Sequence, residues 1–148
     1  RWPARLAQNV RVPAMVELVD LAPTLLDLAG LPPYEGMQGR SFRTLLEEGA
    51  DRTRFRESVY FEYYRAIPSG RYEPGGGMLT GVRTADYALS AIHAADDGEL
   101  YDLRSDPGET RNLWRSAEHL PVKAAMLKLL CDRQAGTIDP LPRDEGPY

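Results

Sequence analysis

The sequence is poor in the residues that most often do chemistry. It has one cysteine and two histidines in 148 residues. A single cysteine, Cys131, excludes an internal disulfide framework. In its place near the end of an apolar-periodic stretch it reads as a semi-buried helix residue. As a nucleophile it would need a basic neighbour. Cys131, His93 and His119 stand at no spacing from which the three or four ligands of a zinc site could be assembled. His119 precedes a helix and reads as a surface or cap residue, and His93 ends a strand and reads as solvent-facing. No apolar run approaches the ~20 residues of a membrane-spanning helix. Arg1-Trp2-Pro3-Ala4-Arg5 lacks the apolar centre of a signal peptide. Eighteen Lys and Arg against twenty-two Asp and Glu give a net charge of -4. The basic residues are not gathered in one block, so nucleic acid is not expected as a partner.

What is present is enough for a core: 43% of the residues are hydrophobic and 27% charged. That suits one domain, or a modest domain with a piece of another. The first thirteen residues carry two prolines and read as an extended connector. Met15–Asp20 reads as a short strand or as the approach to a helix. Asp20 is placed to cap that helix with its carboxylate, and Pro23 falls in the first turn, where its missing N–H costs nothing. Leu21, Leu25 and Leu28 recur at i, i+4, i+7 before Gly30, which predicts a helix over 21–29. Ala22, Leu26 and Ala29 widen its apolar face, so burial on more than one side is expected. Leu31-Pro32-Pro33-Tyr34-Glu35-Gly36 is a loop. Ser41 is placed to cap a helix of one or two turns that ends by Gly49. Arg52, Arg54 and Arg56 read as a solvated connector.

From residue 58 the pattern changes. Ser58–Tyr64 is β-branched and aromatic, with Val59, Phe61 and Tyr63 on one face. Residues 67–77 are too rich in Gly and Pro for a strand or helix. Strands are expected near 78–83, 87–92 and 99–103, separated by Thr84-Ala85-Asp86 and by 94–98, as an antiparallel meander. Ser105–Glu109 is a turn. Val122, Met126, Leu129 and Leu130 follow helical spacing after Pro121, so a helix is expected over 121–133, then a tail with three prolines.

Several of these blocks resemble, in order, the C-terminal part of type I sulfatases of the arylsulfatase kind, members of the alkaline phosphatase superfamily. Val19-Asp20-Leu21-Ala22-Pro23-Thr24-Leu25-Leu26-Asp27-Leu28-Ala29-Gly30 resembles the last helix of the family's catalytic domain. Gly36-Met37-Gln38-Gly39-Arg40-Ser41 resembles the segment that follows it. Gly81-Val82-Arg83-Thr84, Glu99-Leu100-Tyr101-Asp102-Leu103 and Asp106–Leu113 are similar to the family's C-terminal subdomain. The resemblance implies an α+β unit: a small four-stranded antiparallel sheet packed on a C-terminal helix, preceded by the last helix of an α/β sulfatase domain. It implies residues 1–35 as the end of the large catalytic domain, 36–57 as a linker with a short helix, 58–135 as the subdomain and 136–148 as an extended tail.

By the same resemblance the parent would hydrolyse sulfate esters, with carbohydrate sulfates as candidates, using Ca²⁺ and a formylglycine made from the motif C/S-x-P-x-R. Cys131 is followed by Asp132-Arg133-Gln134-Ala135 and does not match it. No catalytic residue, metal ligand or cofactor is therefore expected in this segment, which would be inactive alone. Ala88 stands where the family commonly has a basic residue. In the family, loops between the first two subdomain strands reach the substrate pocket, which points to Glu62, Tyr63, Tyr64 and Arg65 as substrate contacts. The bland alternative puts Tyr63 in the core and Glu62 and Arg65 in solvent. The expected partners are an N-terminal catalytic domain, a sulfated small molecule or carbohydrate, and further copies of the chain through residues 10–30. Two other readings compete: a phosphonate or phosphate monoester hydrolase of the same superfamily, and a stand-alone binding module.

Overall fold

A computed structural model describes residues 2–3, 5–63, 78–93 and 95–138. The N-terminal half is loop and short helix. A 3-10 turn, Leu18–Asp20, runs directly into α1, Leu21–Leu28, and one turn of helix, α2, spans Arg43–Leu46. Four strands follow, β1 (Val59–Tyr63), β2 (Leu79–Arg83), β3 (Tyr87–Ile92) and β4 (Asp97–Asp102), and then α3, Leu120–Ala135. The strands form one antiparallel sheet in the order β1-β2-β3-β4. This is the expected α+β arrangement. Most bounds move by a residue or two; β4 starts two residues early, in the polar gap, because Asp97 and Gly98 pair with Ile92 and Ala91.

Register decides what is buried. Tyr60 pairs with Val82, Val82 with Leu89 and Leu89 with Leu100, so these four share one face of the sheet. On that face Val82, Leu89 and Leu100 pack with Met126 and Leu130 of α3 and with Leu113 and Trp114 of the preceding loop. Each such buried aliphatic side chain contributes roughly 1.5–3 kcal/mol. The helical spacing therefore found the right face of α3, although Leu130 is its deepest residue and Leu129 sits half-buried at the margin. Val59, Phe61 and Tyr63 do share a face, but it is the one opposite the helix. Tyr60 supplies the core contact of β1 instead.

Turn chemistry closes the sheet. The Thr84 hydroxyl accepts the N–H groups of Asp86 and Tyr87, tightening the β2–β3 turn. The Asp106 carboxylate accepts the N–H groups of Thr110 and Arg111 at 2.8 Å each. Asn112 finishes the far edge: its Oδ1 accepts the N–H of Leu100 and its Nδ2 donates to the carbonyl of Gly98. Gly98 has no room for a side chain, since a Cβ there would lie 2.7 Å from the Trp114 ring.

The N-terminal half departs from expectation in three ways. Leu21 and Leu25 of α1 are exposed, at 46% and 66%, while Pro23 and Thr24 are its buried residues. The apolar pattern is there, but no element among the described residues covers it. Asp20 does not cap α1. Its carboxylate is drawn to stronger donors, accepting from the N–H groups of Glu17 and Arg40 and from the Arg56 guanidinium. Arg56 is correspondingly not a solvated connector residue, with only 10% of its side chain exposed. Outside that half one more expectation fails: Cys131 lies on the exposed side of α3 rather than half-buried.

Candidate functional site

The expected substrate contacts lie where β1 ends. Glu62 pairs with Thr80 and Tyr63 with Leu79, so the two side chains leave opposite faces of the sheet. Glu62 is on the helix side and takes a 2.6 Å hydrogen bond from the Tyr60 hydroxyl. Tyr63 is on the other side with Phe61, whose ring lies over Gly81, and it is 61% exposed, so it is not a core residue. Tyr64 and Arg65 lie outside the described residues. On the helix side, Thr80 bonds through its hydroxyl to Nε2 of His93 at 2.7 Å. His93 is exposed, as expected, and its N–H donates to the carbonyl of Met78 at the last rung of the β2–β3 pairing.

At the start of β1 the same strand is pinned by charge. The Glu17 carboxylate accepts the N–H of Tyr60 at 2.7 Å and the Arg133 guanidinium at 2.5 Å, and its second oxygen is 3.2 Å from Arg56. Arg133 also donates to the carbonyl of Ser58 at 2.8 Å. Arg56 reaches across to Asp20, which is fully buried. Burial pushes the Asp20 carboxyl up, but Arg56 and the two backbone donors outweigh it and leave it below the usual carboxylate range. The Arg56 guanidinium is raised by its bond to Asp20. Four segments distant in sequence meet here. Gly39 makes room for the meeting: a Cβ on it would lie 1.9 Å from the Val19 carbonyl oxygen, so only glycine lets Arg40 approach Asp20.

A cleft of about 520 Å³ runs beside this cluster, lined by Val16, Val19, Val59, Phe61, Glu62 and Arg133 among others. Its charged rim is already internally paired through Glu17 and Arg133. Among the described residues no group of three or more His, Cys, Asp or Glu side chains could hold a metal ion. His119 occupies the cap position of α3, its Nδ1 2.9 Å from the Ser116 hydroxyl. The residues that sequence reasoning missed are Glu17, Arg56 and Arg133. Glu17 was signalled by a charge within an apolar run, while Arg56 and Arg133 stand among other charged or polar residues and carried no local signal.

Comparison with known proteins places this arrangement. Residues 1–136 match the family model described as N-sulphoglucosamine sulphohydrolase, C-terminal. The chain is 32% identical over 136 residues to an N-acetylglucosamine-6-O-sulfatase of Bacteroides thetaiotaomicron, covering 90% of this chain and 24% of that protein. It is 31% identical over 126 residues to human arylsulfatase A, covering 76% of this chain and 24% of that protein. Among solved structures it is similar to one in complex with its substrate D-glucosamine-2-N,6-O-disulfate, with 29% identity and TM-score 0.65 over 86% of this chain and 25% of that one. It is also similar to a phosphonate monoester hydrolase of Silicibacter pomeroyi, with 26% identity and TM-score 0.70 over 85% of this chain and 26% of that one. The chain spans about a quarter of the length of these relatives. It belongs to the sulfatase family, and what it contains is the C-terminal portion of such a protein.

Proposed function

We propose that this chain is the C-terminal part of a sulfuric ester hydrolase acting on sulfated carbohydrate, that it supports the catalytic domain and lines its substrate pocket, and that it is inactive alone. The observation that carries the reading is the agreement among relatives. The family model, the N-acetylglucosamine-6-O-sulfatase and a Δ4,5-hexuronate-2-O-sulfatase all carry names of sulfated-sugar enzymes. Glu62, Tyr63, Tyr64 and Arg65 are the proposed sugar contacts. A carboxylate that can accept hydroxyls and an exposed aromatic ring are both groups suited to a pyranose, here on opposite faces of the end of β1.

Residues 1–35 are then the end of the large α/β domain, 36–57 the link, 58–135 the subdomain and 136–148 the tail. The exposure of Leu18, at 84%, and of Leu25 supports this, since a helix with such a face suits packing into a further layer. The partner is the N-terminal catalytic domain, and copies of the isolated chain would associate through the same face. The Ca²⁺ and formylglycine of the family do not fit the residues here. Both Asp20 oxygens are held by Arg56 and backbone N–H groups, and the exposed Cys131 lacks the required motif. A hard cation needs about six oxygens, so those groups belong to the remainder of the protein.

The phosphonate monoester hydrolase reading has the structural likeness in its favour, because the two activities share this fold. One assay series decides. The purified chain should give no turnover of a chromogenic sulfate ester with Ca²⁺, and turnover that survives Cys131→Ala would overturn the reading. The protein that carries this chain should cleave the sulfate ester faster than the matching phosphonate monoester, and the reverse order would favour the second reading.

A further inference from the structure

Thr80 is out of place by the ordinary logic of a core. It is fully buried on the helix side of the sheet, two residues from Val82 and in the same pleat. A valine would fill that volume without burying a hydroxyl, which costs free energy unless it is hydrogen-bonded. The hydroxyl is bonded, to Nε2 of His93. A buried polar group thus serves an exposed one. The ring is fixed through one nitrogen, and Nδ1 has no protein partner among the described residues. With the hydroxyl donating to Nε2, the imidazole proton resides on Nδ1 and can be donated outward.

The position of that free nitrogen is informative. His93 and Thr80 share their face of the sheet with Glu62, because Glu62 pairs with Thr80 and Thr80 with Ala91. All three lie at the end of the sheet where β1 stops and β2 begins. We infer that His93 is a substrate-contacting residue of the parent enzyme, donating from Nδ1 to an oxygen of the bound sugar, and that Thr80 is the positioning residue that aims it. The inference rests on the reading that the end of β1 faces the substrate pocket. It adds a hydrogen-bond donor on the same face of the sheet as Glu62, and a sugar hydroxyl can accept from such a donor.

The test uses the full-length protein, a sulfated monosaccharide and a small aryl sulfate, whose ring presents no sugar hydroxyls. His93→Gln and Thr80→Val should each raise KM for the sugar about tenfold, the scale of one lost hydrogen bond, and leave aryl sulfate turnover unchanged. The double variant should be no worse than His93→Gln alone, since Thr80 acts through His93. Thr80→Val should melt no lower than the wild type, which separates aiming from folding. An unchanged KM in Thr80→Val, or an equal loss on both substrates in His93→Gln, overturns the inference. Glu62→Gln keeps the two readings apart. If it raises KM for the sugar while His93→Gln does not, the pocket reading stands and this inference falls. If neither variant changes the sugar KM, both fall.

Discussion

The two halves of the chain are stabilised by different physics. From β2 to α3 the molecule is an ordinary small core, with Val82, Leu89 and Leu100 closed by Met126 and Leu130. Between Glu17 and Ser58 the centre is instead a carboxylate cluster, Glu17 with the fully buried Asp20, held by the guanidinium groups of Arg56 and, from α3, Arg133, with buried Leu45 nearby in sequence. Several large apolar side chains of that half face outward, Leu18, Leu21 and Leu25 among them. Apolar packing tolerates modest rearrangement, since volume-conserving swaps are cheap. A buried ion cluster does not, because removing one partner leaves the others charged and unpaired. The half that looks loosely built should therefore be the more sensitive to single substitutions at its centre.

The largest effect should come from Arg56→Ala. It strands Asp20 and removes one of the two guanidinium groups on Glu17, at a cost of about 3–5 kcal/mol. Urea unfolding followed by far-ultraviolet circular dichroism would measure it, and a loss below about 1 kcal/mol would mean that water already solvates the cluster. Leu130→Ala should follow at about 2–5 kcal/mol. Lys128→Ala, on the solvent side of the same helix and paired only with Asp132, should stay within about 0.5 kcal/mol. Equal shifts for the two would place the core on the wrong face of α3.

Acid should separate the halves with a smaller effect. The lowered Asp20 carboxyl contributes stability that is present above the ordinary carboxylate pKa of about 3.9 and lost as pH falls below it through the folded-state value. Amide exchange around Glu17–Asp20 should accelerate in that window, while Val82 and Leu89 keep their protection. Simultaneous loss of protection in both would show that the chain unfolds as one unit.

Much of the fold was legible because it rests on local pattern. Val122, Met126 and Leu130 recur at helical spacing, and the aromatic and β-branched runs marked three strands nearly to the residue. β4 was harder, since Asp97 and Gly98 have poor strand propensity and are held by the ladder and by Trp114. The charge cluster was not legible. Its members stand at 17, 20, 56 and 133, and each has a plausible local role. Asp20 is an acceptable N-cap by sequence, and only tertiary donors explain why it does not act as one. Leu21 and Leu25 read as buried from a pattern that is real, but nothing among the described residues covers them. The end of β1 enters as a proposed site through family resemblance alone. Thr80 and His93 became visible only when register set Thr80 opposite Glu62 and its hydroxyl met His93.

Asn112 has a consequence for how the molecule meets its neighbours. Its amide side chain takes the N–H of Leu100 and the carbonyl of Gly98, positions that a fifth strand would otherwise occupy. Leu113 adds a backbone bond to the Leu100 carbonyl at 2.7 Å. An open β-edge is a template on which another polypeptide can pair. Here the β4 margin is sealed by one amide and one turn of chain, so the sheet cannot grow in that direction into filaments or strand-swapped pairs. Growth would have to start at β1, where Glu17 already holds the N–H of Tyr60.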